Sequence, residues 1–292
     1  MAKDWKECNI SDGYTMARIA YVCRWVCNII ICSHMTSAFF YAAGTLMKMK
    51  NENQTEAREL LVKMEIPFAI ESTSVHVAVF IIQFIHLLIA AAVLGVMNSL
   101  LIILVVHVCG QIDIMRLKLS EITQKNIERK NIRHSVRENV VKTLIVQHQQ
   151  IITFSKNIEA LYSNIALIQF GTNTLVICCL GFIIMISISV PGGSIMLVKS
   201  VFFYIVMSLE AFVYCFVGEH LRTKSKMIGD AAYESLWYEL SPSQNQDIQI
   251  IIVRSQKHLT LTIGKVAELS LKQFANIIKA SASYVSVLHA MY

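Results

Sequence analysis

The chain has 292 residues; 55% are hydrophobic, only 16% are charged, and its mean hydropathy is +0.53. A soluble globular chain would carry about a quarter charged residues. The composition therefore excludes a soluble domain and indicates an integral membrane protein. The net charge of +6 does not require a nucleic-acid partner, because multispanning proteins collect basic residues in their cytosolic loops.

Apolar segments in the first three quarters of the chain predict four membrane helices. The first, residues 19–47, carries Arg24 near its start, where a long side chain can reach the membrane interface. Residues 72–112 and 160–190 contain no Asp, Glu, Lys or Arg, and residues 200–218 contain a single acid, Glu210. We expect Glu210 to make a hydrogen bond that faces the helix bundle, since an exposed acid in lipid is costly.

The stretch 111–170 contains neither Gly nor Pro and mixes charged residues with periodic Ile, Leu and Val. Such a tract predicts that the second and third membrane helices continue into the cytosol as paired helical arms. After the fourth span, "WYELSPSQNQ" indicates a turn, and "DIQIIIVRSQKHL" resumes helical character.

The terminal segment 259–292 predicts a fifth membrane helix of 34 residues. At 1.5 Å per residue it would be roughly 50 Å long, so its cytosolic end would protrude from the apolar layer. Its polar or small residues recur every three or four positions and form one stripe. The stripe either packs within one subunit or lines a pore between subunits, and the periodicity leaves both open. Its members are Lys265, Glu268, Lys272, Asn276, Lys279, Ser283, Ser286 and Ala290.

The distribution of Lys and Arg predicts a cytosolic N-terminus and an extracellular C-terminus. With that orientation the inside segments hold 17 basic residues and the outside segments hold 5. Five segments follow: 1–109, with two membrane helices and the outside loop 47–75; 110–158, the cytosolic helical extensions; 159–220, with two membrane helices; 221–272, a cytosolic anchor; and 273–292, the pore-lining part of the last helix.

The stretch "EAFVYCFVGEHLRTKSKMIGDAAYESLWYEL" at 210–240 resembles the closing signature of the insect odorant receptor family. The residues that match are Tyr214, Cys215, Gly218, Leu221, Ser225, Ile228, Ala231, Tyr233 and Trp237. The segment that follows is similar to the family's final helix, and "MAKDW" at 1–5 is similar to the cytosolic segment before its third helix. The family has seven membrane helices, so the resemblance implies an N-terminally truncated chain with the equivalents of helices three to seven.

The resemblance implies an odorant-binding subunit of a ligand-gated, non-selective cation channel. Such channels are hetero-tetramers with a shared co-receptor in the plasma membrane of sensory neuron dendrites, and their ligands are small volatile organic molecules. The implied pore and gate residues are Ser283, Ser286, Val287 and Ala290. The implied ligand-binding residues are His34, Ser37, Phe40, Tyr41, Phe80, Gln83, Phe84, Phe203, Tyr204 and Met207. The implied subunit-anchor residues are Tyr214, Gly218, Tyr233, Trp237, Lys265, Glu268 and Lys272.

Other classes of protein remain as alternatives at this point. The chain could be a non-functional or regulatory fragment of such a receptor, a gustatory-type receptor, or a G-protein-coupled receptor, although the last would need an extracellular N-terminus. A transporter is disfavoured because the spans contain no proline and show no repeat. No enzyme motif and no metal-ligand spacing occurs, so we expect no catalysis, no cofactor and no metal.

The predicted orientation can be tested at the sequon "NQT" of residues 53–55, which lies in the outside loop. We expect Asn53 to be glycosylated in eukaryotic cells, so that endoglycosidase treatment increases gel mobility and Asn53→Gln abolishes that change. The matched control is Asn9→Gln in "NIS" at 9–11, which lies on the predicted cytosolic side. Glycan on Asn9 would contradict the orientation.

Overall fold

The structure is a computed structural model that describes residues 10–51, 60–62, 64, 73–128, 134–190 and 193–291. The described chain is almost entirely helical, with helices α1 (Ile10–Asn51), α2 (Thr73–Glu128), α3 (His134–Ser189), α4 (Ser194–Tyr233), α5 (Pro242–Ser255) and α6 (Leu271–Met291). A short 3-10 helix lies at Trp237–Glu239, and an antiparallel pair of two-residue strands, β1 (Thr262–Ile263) and β2 (Ala267–Glu268), precedes α6.

The first four helices are long, and none of them contains a proline that would break it. They contain 42, 56, 56 and 40 residues. Helix α2 extends to Glu128 and α3 begins at His134, so the prediction of uninterrupted helix in the described parts of 111–170 is confirmed. Helix α1 is longer than the predicted first span and includes the first residues of the predicted loop 47–75.

Four helices are long and apolar enough to cross a membrane, over Met16–Met47, Thr73–Ile122, Val140–Ser189 and a segment that starts at Ser194. The protein is therefore an all-α, multi-pass membrane protein. Within the described residues α6 is not among these candidates, because Lys272, Asn276 and Lys279 make it less apolar. Its insertion as a fifth span, the orientation and the segmentation by membrane side stay predictions.

The prediction of one continuous helix over 259–292 is wrong, because residues 259–270 form an extended segment with a hairpin. Gly264 and Lys265 both adopt left-handed backbone angles, with φ of 58° and 61°. Two consecutive left-handed residues end any right-handed helix and are typical of tight hairpin turns. Thus Lys265 and Glu268 lie outside α6, and the helical part of the polar stripe begins at Lys272.

The turn predicted from "WYELSPSQNQ" at 237–246 is also shorter than expected. Helix α5 begins at Pro242, a residue suited to the first helical position because its missing N–H would have no partner there. The helix ends at Ser255, before the hairpin segment.

The chain divides into two compact units. Unit 1 comprises Met1–Cys23, Leu101–Thr172 and Ala211–Ile278, and unit 2 comprises Arg24–Leu100, Asn173–Glu210 and Lys279–Tyr292. In unit 1 the Nζ atom of Lys224 on α4 lies 2.7 and 2.8 Å from the two carboxylate oxygens of Asp113 on α2. This bidentate ion pair joins the two helices, and both side chains are only about a quarter exposed.

The hairpin segment is held in unit 1 by hydrogen bonds to α3 and α4. The backbone N–H groups of Gly264 and Lys265 donate to the carbonyl and the hydroxyl oxygen of Ser163, at 2.9 and 3.1 Å. The Thr262 hydroxyl donates to Glu159 Oε1 at 2.7 Å. On the α4 side, the N–H of Leu259 donates to the Ser225 hydroxyl at 2.9 Å. Backbone groups that lack sheet or helix partners are thereby satisfied.

Gly218 lets the hairpin segment approach α4. A Cβ atom at position 218 would lie 2.6 Å from the Cβ atom of Leu269, and it would overlap the Leu269 carbonyl oxygen. Leu269 is itself only 3% exposed. The glycine of the signature therefore has a packing reason, because any side chain there would displace the segment that leads into α6.

We expect Gly218→Ala to destabilise the chain by about 1–3 kcal/mol, as overpacking of a tight contact does. Thermal unfolding in detergent, followed by size-exclusion chromatography, measures the change. Gly171→Ala is the matched control, since Gly171 is also helical and has nothing within 4 Å of the added Cβ atom. That control should be neutral or stabilising by up to about 1 kcal/mol. Equal loss in both variants would contradict the packing argument.

Candidate functional site

A buried polar cluster joins three helices within unit 2. The Asn98 side-chain amide on α2 donates to Glu210 Oε1 on α4 at 2.6 Å, and its Nδ2 atom lies 3.2 Å from Nε2 of His34 on α1. The distance from His34 Nε2 to Glu210 Oε1 is 4.0 Å. Asn98 is 4% exposed and Glu210 is 8% exposed. The prediction that Glu210 makes a hydrogen bond facing the bundle is confirmed.

The cluster has a physical cause in the surroundings of Glu210. A carboxyl group inside an apolar bundle cannot be solvated by water, so it needs hydrogen-bond partners from the protein. The 2.6 Å contact with Asn98 is a short N–H···O hydrogen bond of this kind. One acid on α4 thereby constrains the positions of α1 and α2.

Aromatic side chains pack on both sides of α1 in the same unit. Tyr41 meets Phe203 of α4 edge to face, with ring centroids 6.0 Å apart, and the neighbouring pair Phe40 and Phe202 is stacked at 4.8 Å. The Lys199 ammonium lies 4.1 Å from the centroid of the Tyr41 ring, a cation–π distance. These contacts make the α1–α4 interface largely aromatic.

The contact between α1 and α2 depends on a glycine. A Cβ atom at Gly95 would lie 3.2 Å from the Ile31 Cα atom and 3.6 Å from Cδ2 of His34. The missing side chain thus lets the two helices approach closely at the level of the polar cluster. Farther along, Phe39 of α1 and Phe84 of α2 meet edge to face at 5.4 Å.

The structure brings only some of the predicted ligand-binding residues together. His34, Tyr41 and Phe203 lie in the α1–α4 interface, whereas Phe40 and Phe84 contact the unpredicted residues Phe202 and Phe39. Two other polar side chains already have partners. The Ser37 hydroxyl donates to the Ser33 carbonyl. The Gln83 amide oxygen accepts from the Val62 N–H, and its amide nitrogen donates to the Val62 carbonyl. The remaining members are partly buried: Phe80, Tyr204 and Met207.

Sequence reasoning missed Asn98, Phe39, Lys199 and Phe202. For Asn98 a signal existed, because an amide in an apolar segment needs a polar partner and Glu210 was the one acid available in the neighbouring spans. Lys199 and the two phenylalanines carried no comparable signal, since their roles depend on which faces of the helices meet.

The predicted pore and gate residues lie on the exposed part of α6. Ser283, Ser286, Val287 and Ala290 are all exposed, and Val287 is 58% exposed. The opposite side of the helix packs within unit 2: Ser281 is 2% exposed, and a Cβ atom at Gly181 of α3 would lie 2.8 Å from Val285. Every stripe member within the helix is exposed: Lys272, Asn276, Lys279, Ser283, Ser286 and Ala290.

The predicted anchor residues divide into two groups. Tyr214 is 3% exposed and Gly218 is buried against Leu269, so both pack within the chain itself. The others reach the surface: Tyr233, Lys265, Glu268 and Lys272 are exposed and Trp237 is partly buried. Glu268 lies 3.8 Å from Arg222 in a half-exposed ion pair, a contact that contributes little to stability. The predicted glycosylation site Asn53 lies outside the described residues.

Unit 1 contains a small cavity between α2 and α3 of about 210 Å³. His107 and Phe154 meet edge to face beside it, at 5.9 Å. His107 is 9% exposed, whereas His86 on the same helix is exposed. The cavity is lined by His107, Val108, Gln111, Gln147, Gln150, Ile151 and Phe154.

The fold is that of a multi-pass helical membrane protein. The family description "7tm Odorant receptor" matches residues 4–282. The chain therefore belongs to the 7tm odorant receptor family, which is not a family of enzymes.

Curated relatives and solved structures agree with this family. The chain is 31% identical over 149 residues to Odorant receptor 10 of Aedes albopictus, an alignment that covers 51% of this chain and 39% of that relative. It is 28% identical over 152 residues to Odorant receptor Or2 of Anopheles gambiae, covering 52% and 39%. The matched part is thus about two fifths of the length of these relatives.

The fold is that of an insect olfactory receptor. The structure of OR5 from Machilis hrabei in complex with eugenol has a TM-score of 0.80 to this chain at 14% identity, and the match covers 98% of this chain and 71% of that one. A second structure of OR5 gives a TM-score of 0.75 at 16% identity, covering 94% and 68%.

The interaction between Asn98 and Glu210 can be tested by a double-mutant cycle. We expect Asn98→Leu to cost about 1–3 kcal/mol of stability, because it removes a short hydrogen bond from a buried carboxyl group, and we expect Glu210→Met added to it to recover most of the loss. Thermal unfolding in detergent gives the values. The control Asn28→Leu makes the same change at an exposed position of α1. Additive losses in the double variant would contradict the coupling.

Proposed function

We propose that the chain is the odorant-binding subunit of a ligand-gated, non-selective cation channel in the plasma membrane of sensory neurons. The observation that carries the proposal is family membership over residues 4–282 together with a polar cluster inside an aromatic helix interface. Ligand sites for small molecules are mostly apolar with a few placed polar groups, and α1, α2 and α4 supply that combination in unit 2.

The side chains at the interface of α1, α2 and α4 support a particular class of ligand. Aromatic contacts between Tyr41 and Phe203 and between Phe40 and Phe202 offer flat apolar surface, and the three-helix cluster offers hydrogen bonding. A small, largely apolar organic molecule with few polar atoms fits such a lining. A receptor of the same fold was solved with eugenol, which supports small organic ligands for this chain.

The exposed stripe of α6 supports a pore formed by several subunits. A polar face that its own chain leaves uncovered has to meet water or another subunit, because lipid does not solvate it. Copies of α6 around a common axis would direct this face to an aqueous path, with Val287 as the gate. A hetero-tetramer with the odorant co-receptor provides such copies, and the exposed anchor residues Tyr233, Lys265 and Lys272 are available to neighbouring subunits.

The channel proposal predicts a current that needs no G protein. The chain is co-expressed with an insect odorant co-receptor, and whole-cell current is recorded during exposure to a panel of volatile organic compounds while G-protein signalling is blocked. We expect at least one compound to evoke a current that persists under the block. Loss of the current under the block would favour a G-protein-coupled receptor instead.

The pore proposal predicts which positions of α6 react with a charged, water-soluble thiol reagent in the open channel. We expect Ser283→Cys and Ser286→Cys to react, with a change in current, because they lie on the exposed stripe. Ser281→Cys is the control, since Ser281 is 2% exposed and packs within the chain. Equal protection of all three positions would mean that the stripe does not face water.

A further inference from the structure

Helix α6 carries positive charge and no negative charge on its exposed stripe. The helix of 21 residues contains Lys272 and Lys279 but neither Asp nor Glu. Lys279 is exposed. At 1.5 Å per residue it lies roughly 12 Å from the start of a helix that is about 30 Å long. Its side chain is therefore attached near the middle of α6 and not at either end.

Lys279 faces away from the part of its own unit that covers α6. Ser281 is 2% exposed and packs within unit 2. Two residues correspond to roughly 200° around an α-helix, so Lys279 lies on the opposite side. Ser283 and Ser286 are exposed as well, and both fall within about 40° of Lys279. The lysine thus shares one face of α6 with two of the predicted pore residues.

The charge of Lys279 is not balanced within the part of the chain that the structure describes. Lys279 makes no ion pair there. Among the described residues of unit 2, Glu210 is the sole acid, and its carboxyl group is buried and bonded to Asn98 at 2.6 Å. An unpaired ammonium group in the apolar layer is costly, so Lys279 needs water or an acid of another subunit. The serine hydroxyls on the same face favour water.

We propose that the positive charge of Lys279 lowers the permeability of the pore to divalent cations, so that Ca²⁺ passes less readily relative to Na⁺ than it would without this lysine. The proposal rests on the proposed function, because it requires α6 to line an aqueous path. It gives Lys279 a role in ion selectivity that is separate from the role of Val287 as the gate.

The physical reason is the dependence of Coulomb repulsion on the charge of the permeating ion. At the same distance, a fixed ammonium group repels Ca²⁺ with about twice the energy with which it repels Na⁺. A charge that reduces the entry of Na⁺ about twofold therefore reduces the entry of Ca²⁺ about fourfold, and their ratio changes about twofold. Low-dielectric walls focus the field along a pore, which strengthens the effect.

The first test is a charge series at position 279. The chain is co-expressed with an insect odorant co-receptor, and reversal potentials of the odorant-evoked current in Na⁺ and Ca²⁺ solutions give the permeability ratio. We expect Lys279→Gln to raise the ratio of Ca²⁺ to Na⁺ permeability by about two- to threefold, and Lys279→Glu to raise it further. Lys279→Arg keeps the charge and should keep the original ratio.

Lys226→Gln is the matched control, because Lys226 is an exposed lysine of α4 and lies outside α6. This variant should leave the permeability ratio unchanged. A ratio that is the same with Lys, Gln and Glu at position 279 would overturn the proposal, although the channel function would stand. An equal change in Lys226→Gln would overturn it too, since the effect would then come from total charge.

A chemical test measures the local potential without any current. Ser283 lies one turn from Lys279, roughly 6 Å along the axis, which is within the Debye length of about 8 Å in physiological salt. Membranes of cells that express Ser283→Cys with the co-receptor are treated with a methanethiosulfonate reagent of negative or positive charge. The extent of reaction is measured by the loss of later biotin–maleimide labelling, after subtraction of the signal from the chain with Ser283 intact.

We expect the ratio of the anionic to the cationic reaction rate to fall about four- to tenfold when Lys279→Gln is added, because the charge acts on the two reagents with opposite sign. An unchanged ratio overturns the proposal, and so does a Ser283→Cys chain that neither reagent modifies. A shifted ratio in a complex that gives no current with any odorant supports the proposal for Lys279 and counts against the channel function alone.

Discussion

Polar groups inside the apolar bundle must find their partners within the protein, and this constraint explains the main features of the chain. Long helices satisfy the backbone internally, which is why membrane-spanning segments are helical. The side chain of Glu210 follows the same rule. Glu210 is the acid of the fourth apolar segment, and the 2.6 Å bond from Asn98 satisfies it across two helices. Because Asn98 also meets His34, the same requirement brings α1 into the cluster.

The same requirement operates in unit 1, where the chain leaves the helical pattern. The segment 259–270 has backbone groups that no helix can satisfy, and Ser163 and Ser225 supply partners for several of them. Close approach is possible because Gly218 has no side chain to exclude Leu269. The signature residues on α4 therefore act together with Ser163 of α3 to hold the segment that leads into α6. Their spacing in the sequence reflects the helical repeat of α4, on which Gly218, Leu221, Ser225 and Ile228 fall along one buried face.

The sequence predicted where the long helices would form, but it predicted less well where each helix ends and which helices pack together. Apolar runs with at most one charged residue and no proline were sufficient to predict four long helices. The hairpin was missed, although "TLTIGKV" contains β-branched residues followed by a glycine, a pattern that is typical of strand and turn. The periodic polar residues at 265–290 hid the hairpin, because steps of three and four residues fit a helix. The spacing continues to fit at 265 and 268, where the backbone is not helical. Hydropathy alone also does not identify α6 as a membrane span, because its lysines and asparagine lower its mean hydropathy.

For the candidate site, the sequence by itself determined which helices would carry aromatic and polar side chains and which acid would need a partner. Residue type and helical spacing are local properties, so they can be read along the chain. Only the tertiary structure decided that Asn98 is the partner of Glu210, that Phe202 rather than a predicted residue stacks on Phe40, and that Gln83 is engaged by Val62. These pairings depend on how the helices are rotated and shifted against one another, and that is set by many weak packing contacts, such as the approach at Gly95, rather than by any segment alone.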